Sequence, residues 1–318
     1  MEFIVKKTTE LTEVEQAEIL ALFNAVFDKT RPLMHFRNQF LNNPLGYSYH
    51  SIILETGKIV GCDSYIPSYY LIDGRRLLFS NAVDTMIGKP YRDFVNLYDM
   101  VIAVHDYMKK DGVICVYGFP NDNAYPVFHK SKLMKDIGVL ATYCLPYRIG
   151  GIKPALKAFN CFSQLFAKLY ATCNGLFASK KIHRFTIEKE AQTYNATRYK
   201  RLDGDYKIIR SGQGGFVYKL MRYEGVRSAF LIDVFDKSAA NFNRAVRYIL
   251  KNHSKEFDIL LYAGRLPFKY SGLIKLPQKF SPKKFHFTGE ILNKEAIDKN
   301  LFFNIDNWDV NLSNYDLL

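Results

Sequence analysis

Val83-Asp84-Thr85-Met86-Ile87-Gly88-Lys89-Pro90-Tyr91-Arg92-Asp93-Phe94-Val95-Asn96 is the stretch that sets the architecture of this chain. It begins inside a largely apolar run, Arg76 to Met86, which follows the turn dipeptide Asp73-Gly74. Gly88 and Pro90 break that run, and Val95, Tyr98, Ile102, Val104 and Met108 then recur near the helical period as far as Lys110. A strand therefore feeds a loop, and the loop feeds a helix. Gly112 closes the helix, and Val113-Ile114-Cys115-Val116-Tyr117 is short and nearly all apolar, as expected of a central strand covered on both faces. A helix connecting two such strands predicts that they run parallel.

Upstream, Leu11 to Phe27 places Ile19, Leu20, Leu22, Phe23, Val26 and Phe27 at helical spacing, with Thr12 and Glu15 forming a capping box. Two hairpins follow: Ser51–Glu55 with Ile59–Tyr65 around Thr56-Gly57-Lys58, then Tyr69–Ile72 with Arg76–Met86 around Asp73-Gly74. Downstream, Gly118 to Asn123 ends the strand and opens a short helix through Lys132. The expected order is β-β-β-α-β-α behind an N-terminal helix, an α/β sheet domain ending near residue 145.

The pattern returns after Asp205. Strands are expected at Tyr206–Ser211, Phe216–Tyr223 and Arg227–Phe235, then a helix over Ser238–Lys251 and a strand at Phe257–Tyr262. Tyr223-Glu224-Gly225 through Asp233 repeats the element order of Ile72-Asp73-Gly74 through Asp84, a weak internal repeat whose length points to duplicated domains. Between the halves no Asp or Glu occurs from Asp136 to Glu188, while Lys153, Lys157, Lys168, Lys180, Lys181 and Arg184 accumulate beside Leu156, Phe159, Phe162, Leu165, Phe166 and Leu169. That is a basic amphipathic helix. It either packs as a linker between two domains or lies on a membrane surface through residues 153–184. The division expected is 1–147, a linker region 148–200, and a reduced domain 201–318.

Composition agrees with two folded units. The chain has 318 residues, of which 48% are hydrophobic and 15% aromatic, too apolar for a disordered chain and long enough to form two cores. The N-terminus lacks a signal-peptide pattern, so a cytoplasmic location is expected, at most peripheral to the inner membrane face. Five cysteines, widely spaced and never in a C-x-x-C pair, predict reduced thiols and no zinc site. The seven histidines lack metal spacing, so no metal is expected, and neither G-x-S-x-G nor H-E-x-x-H occurs. Ser211-Gly212-Gln213-Gly214-Gly215 reads as a turn. A net charge of +13 favours anionic partners: nucleotides, nucleic acid, coenzyme A or an anionic membrane.

The stretch from Val83 to Asn96, its helix, and Val116 to Asn121 with Tyr125-Pro126-Val127-Phe128 resemble the signature of GNAT N-acetyltransferases, most of all bacterial members associated with surface polysaccharides. The resemblance covers about residues 1–145 and implies tandem GNAT-like domains, with mixed, mostly antiparallel sheets flanked by helices. It implies acetyl coenzyme A as acyl donor and a small amine or amino sugar as acceptor. In the family the loop after the strand binds the pyrophosphate through backbone amides and a helix N-terminus. Carried over, this places the coenzyme against Met86, Ile87, Arg92, Asp93, Phe94, Val95 and Asn96, with Asn121 and Phe128 beyond the next strand. Asp93 and Val95 stand where the family has two glycines, and Phe128 stands where it has a proton-donating Tyr.

Tyr125 or His129 would then have to supply the proton to the departing thiolate. Asp84, a carboxylate in an apolar strand, is the expected base for the amine. Asp233 holds the matching place in the second half, which fits a structural role shared by both copies. Two other readings stay open at the level of sequence. One is aminoacyl transfer from charged tRNA, as in the double-domain peptidoglycan transferases; the other is a fold that binds and no longer catalyses.

Overall fold

In chain order the computed structural model contains β1 (Glu2–Lys7), α1 (Glu13–Phe27), α2 (Leu33–Leu41), β2 (Tyr49–Glu55), β3 (Lys58–Ile72), β4 (Arg75–Ile87), α3 (Phe94–Lys110), β5 (Cys115–Gly118), α4 (Tyr125–Ser131) and β6 (Lys135–Val139). It continues with β7 (Thr142–Pro146), α5 (Ile149–Ile152), α6 (Asn160–Leu176), β8 (Ile187–Lys189), α7 (Ala191–Thr197), β9 (Lys207–Ser211), β10 (Gly214–Tyr223) and β11 (Val226–Val234). The last elements are α8 (Ala239–Asn252), β12 (Ile259–Ala263), β13 (Ile274–Lys275), β14 (His286–Ile291) and α9 (Lys299–Phe302). The structure describes residues 1–176, 183–201, 206–212, 214–281 and 283–315. Lys180, Lys181, Asp205 and Gln213, used in the sequence reading, lie outside the described residues.

Turn chemistry places the hairpins. Asp73 and Gly74 take φ of 50° and 77°, and Glu224 and Gly225 take 46° and 81°. Positive φ at both central residues is what a two-residue turn needs to match strand twist. The turns join β3 to β4 and β10 to β11, each antiparallel. The capping box at Thr12 and Glu15 forms as expected and starts α1.

The two sheets are mixed. One runs β1-β2-β3-β4-β5-β14-β6, with β8 also paired to β3; the other runs β13-β7-β12-β11-β10-β9. Within each, one parallel pair is spanned by a helix, β4 with β5 around α3 and β11 with β12 around α8, as the apolar runs predict. The expected serial division at 147 and 200 is not how the chain clusters. Unit 1 is Met1–Gly138, Thr186–Gly204 and Phe285–Asn304; unit 2 is Val139–Phe185, Asp205–Lys284 and Ile305–Leu318. The cause is strand exchange along the chain: β14 pairs antiparallel with β5, and β7 pairs antiparallel with β12. A sheet edge left unpaired is costly, and a sequence-distant strand closes each one.

In unit 1, α1 and α2 cover one core around Ile19, Phe23, Phe36, Ile52 and Ile66. The α3 and α4 helices cover another around Val101, Val104, Met108, Val116 and Phe128. In unit 2, α8 lays Phe242, Ala245, Val246 and Ile249 on the sheet. Among the described residues, no helix is long and apolar enough to cross a membrane.

Candidate functional site

In unit 1 the parallel pairing of β4 and β5 runs from Phe79 and Cys115 to Ala82 and Gly118, where it stops. Beyond that point β4 continues to Ile87 paired only with β3, and β5 has ended. The edge of Val83–Ile87 on the β5 side therefore has no strand partner among the described residues, and a gap opens in the middle of the sheet. Open backbone edges of this kind are templates for another chain or for a ligand with amide groups.

A bulge marks the point where the gap begins. Cys62 faces Met86 and Ser64 faces Val83, so Asp84 and Thr85 together oppose the single Asp63. Asp84 takes φ of 53°, the left-handed backbone that re-aims its side chain. Its charge is paired, as burial in an apolar strand requires. Its Oδ2 accepts from Gln39 Nε2 at 2.9 Å and lies 3.6 Å from Arg31 Nη1, whose guanidinium also sits over the Phe23 ring. These groups, with Ile19, His35, Ser64 and Met86, enclose a narrow space of about 10 Å³ under α1 and α2, about one water's worth.

Asp63 is the carboxylate that sequence reasoning missed. It is fully buried, and Thr85 Oγ1 donates to it at 2.6 Å. Burial pushes its carboxyl up to about 6, the nearby Asp84 charge adds to this, and the Thr85 hydrogen bond opposes it. The signal was present in Cys62-Asp63-Ser64, three small or polar residues inside a strand otherwise rich in Ile, Val and Tyr.

On the other face, α3 begins at the loop after β4. Asp93 is its N-cap: its carboxylate accepts the Asn96 amide at 2.8 Å and the Asn96 side-chain amide at 2.6 Å. The amides of Phe94 and Val95 have no acceptor among the described residues, so two first-turn donors of a 17-residue helix remain open. Arg92 donates to the Ile87 carbonyl at 3.1 Å. Met86 and Ile87 are buried in the cores beside α1 and α3.

Phe94 joins Pro126, Val127, Lys130 and Ser131 of α4 around an open hollow of about 310 Å³. Of the residues expected to contact a coenzyme, Phe94 is thus brought to the hollow and Val95 is exposed beside it. Phe128 turns the opposite way and packs against Val101, Val104 and Met108, so it does not line the hollow. Asn121 accepts the amides of Asn123 and Ala124 and fixes the start of α4.

Tyr125 and His129 also point away from the hollow. The Tyr125 hydroxyl donates to Asp136 Oδ2 at 3.0 Å, His129 Nδ1 lies 3.3 Å from the same oxygen, and the Tyr125 ring stacks on His286 at 3.7 Å. Burial first, then Asp136, holds the Tyr125 proton above its ordinary value, so it is a poor acid at neutral pH. His286 was invisible to sequence reasoning because only the exchanged strand β14 brings it to α4, and Asp136 lies on β6, a short strand with little pattern of its own. Among the described residues no group of three His, Cys, Asp or Glu side chains is arranged to hold a metal.

No family model matches the sequence, and no curated protein matches it. Solved structures do. A GCN5-related N-acetyltransferase from Anabaena variabilis shares 10% identity over 91% of this chain and 73% of its own, with a TM-score of 0.57. A GCN5-related N-acetyltransferase from Kribbella flavida shares 10% over 92% and 72%, also at 0.57. Eis1 from Mycobacterium abscessus shares 11% over 93% and 75%, at 0.56. The fold is that of the GNAT N-acetyltransferases.

Proposed function

We propose that unit 1 is an acyl-coenzyme A-dependent N-acyltransferase site that moves an acetyl group to the amine of a small molecule or sugar. The observation that carries the reading is the gap between the parallel strands β4 and β5, whose ends lead through residues 88–93 and 119–124 into α3 and α4, the helices that line the hollow. The chain has residues that fit the donor. Phe94, Pro126 and Val127 offer an apolar wall for a thioester arm, and Lys130, Arg92 and the open amides of Phe94 and Val95 offer positive ends for phosphate. The stretch of β4 past Ala82, which β5 does not pair, supplies backbone groups to a chain lying in the gap.

In this reading the amine nitrogen attacks the thioester carbonyl carbon, the carbon–sulfur bond breaks, and the amine proton passes to a carboxylate. Asp84 on the bulge is the acceptor of that proton. Positioning does most of the work, and the thiolate departs without a tyrosine donor because Tyr125 is held by Asp136.

A second reading has its own observation. The Asp93 carboxylate already occupies the Asn96 amide, which is where a phosphate would compete, and this favours a fold that binds without turnover. Calorimetric titration with acetyl coenzyme A separates the two. Saturable heat that weakens in Arg92→Ala and Lys130→Glu, followed by acetylation of amine acceptors, is the expected result. Absence of heat at millimolar ligand from folded protein would overturn the acyltransferase reading.

A further inference from the structure

The basic segment between the halves forms α6, and its orientation is the reverse of an ordinary surface helix. Ser163, Ala167 and Ala171, spaced four apart, face unit 2, and the two alanines are fully buried in its core. The bulky residues face outward: Phe162 is 70% exposed, Leu165 59% and Leu169 55%, with Phe159 and Phe166 beside them. The helix is firmly seated. Ser163 Oγ donates to the Tyr147 carbonyl at 3.0 Å, Asn160 Oδ1 accepts the Gly150 amide at 2.8 Å, and Arg148 donates to the Phe257 carbonyl at 2.9 Å. A Cβ on Gly151 would come within 2.3 Å of Asp258, so the turn before α6 is pressed onto the unit 2 core. The apolar stripe is therefore held outward by the packing of small residues, and core burial does not account for it.

Charge identifies what covers it. Lys153, Lys157 and Lys168 are exposed beside the stripe, and the sequence has no Asp or Glu between Asp136 and Glu188. A second copy meeting this face would bring lysine against lysine, an arrangement that opposes association. Phenylalanine and leucine on one face with lysine at its flanks is the composition of a helix that lies in the interface of an anionic bilayer. We infer that α6, with the turn at 152–159, docks unit 2 onto an anionic membrane surface, its phenyl and leucyl side chains entering the headgroup boundary and its lysines meeting lipid phosphates and carboxylates.

The inference stands apart from the acyl-transfer reading, and its test uses no substrate. The full chain is sedimented with vesicles of phosphatidylcholine doped with phosphatidylserine, and with phosphatidylcholine alone. Binding to the anionic vesicles only, lowered by salt, is expected. Phe162→Ser with Leu165→Ser, at exposed positions where circular dichroism should show the fold unchanged, should weaken partitioning at least about tenfold, and Lys157→Gln about fivefold. Cys173, exposed four residues after Leu169, provides an independent readout in a Cys161→Ser background: a polarity-sensitive dye there should shift to the blue on anionic vesicles. Sedimentation unaffected by the apolar substitutions would overturn the inference. So would a dimer that those substitutions dissociate, or failure to bind anionic vesicles at millimolar lipid.

Discussion

Unit 1 and unit 2 both carry a parallel strand pair that stops pairing partway, and they treat the resulting gap in opposite ways. In unit 1, β4 outruns β5, and the two strands lead into α3 and α4, the helices that line the Phe94 hollow. In unit 2, the parallel pairing of β11 with β12 ends at Phe230 and Leu261, yet the space beyond is filled by the C-terminal segment. Gly264 bridges Asn311, and the Arg265 amide donates to the Val310 carbonyl at 2.8 Å. Trp308, Val310, Asn311 and Leu312 are all buried. Asp233, the counterpart of Asp84, accepts from Asn311 at 2.7 Å, from Lys237 at 3.0 Å and from its neighbouring amide. The same strand geometry thus leaves a gap open in one unit and plugged in the other. A carboxylate at the end of a strand is read by what surrounds it.

Two substitutions test that contrast at its strongest points. Lys237 bridges Asp233 and Asp309, at 3.0 Å and 2.7 Å, and the two carboxylates hold its ammonium charged despite burial. Lys237→Ala leaves two buried carboxylates facing each other, and should cost about 3–5 kcal/mol in chemical denaturation. Acetyl coenzyme A binding should be unchanged at temperatures where the variant is folded; a coupled loss of binding would mean the plug supports unit 1 as well. Asp84→Asn keeps the acceptor for Gln39 and should leave the melting temperature within a few degrees, while kcat falls about a hundredfold or more for a base. If Asp84→Asn instead lowers stability without touching kcat, Asp84 is a structural twin of Asp233.

Much of this fold was legible because its signals are local. The Asp73-Gly74 and Glu224-Gly225 turns, the capping box at Thr12 and the helical-period spacing in α3 and α8 each specify an element from a few neighbouring residues. What was not legible depended on long-range pairing. The short strands β6, β7 and β14 have weak patterns of their own, and nothing in His286–Ile291 says that it lies against Cys115–Gly118. The clustering of the chain into interleaved units and the surroundings of Tyr125 and His129 both depend on such pairing. His286 reaches α4 only through the exchanged strand β14. The site itself was half legible: the loop from Ile87 to Asn96 could be found, but whether Phe128 faced a cleft or a core depended on how α4 rolled onto the sheet.

The units also differ in how they keep buried polar groups, which sets their response to acid. Unit 1 buries neutral histidines. His50 lies between Thr8 Oγ1 at 2.8 Å and Ser64 Oγ at 2.9 Å, and burial lowers its pKa from 6.5 to about 3. His105 sits 3.2 Å from the Tyr65 hydroxyl and is lowered by burial to about 4. Both pKa values are below those of the unfolded chain, so as pH falls through 6.5 the unfolded state takes up protons first and stability is lost. Asp63 acts in the other sense, since a carboxyl raised to about 6 gains protons in the folded state between 6 and 3.8. Two histidines outweigh one aspartate, and the net loss between pH 7 and pH 5 should be about 2 kcal/mol. Hydrogen exchange should place that loss in β2 and β3. Equal loss of protection in β10 and β11 would break the contrast.

The smallest effect is the most direct on location. Val95→Asp adds a carboxylate to the first turn of α3 and leaves the Phe94 wall of the hollow in place; the helix dipole favours an acid there, so the helix itself gains stability. Any loss of acetyl coenzyme A affinity must then come from repulsion of an anion at the open amides, and about a tenfold rise in Kd is expected from charges a few ångströms apart near a surface. Ala240 is the corresponding exposed position in the first turn of α8, so Ala240→Asp adds the same charge with the same helix benefit. It should leave the Kd unchanged, because the unit 2 gap is already filled by residues 308–312. Equal weakening by both substitutions would mean that the field of the whole molecule, not the unit 1 gap, draws the ligand.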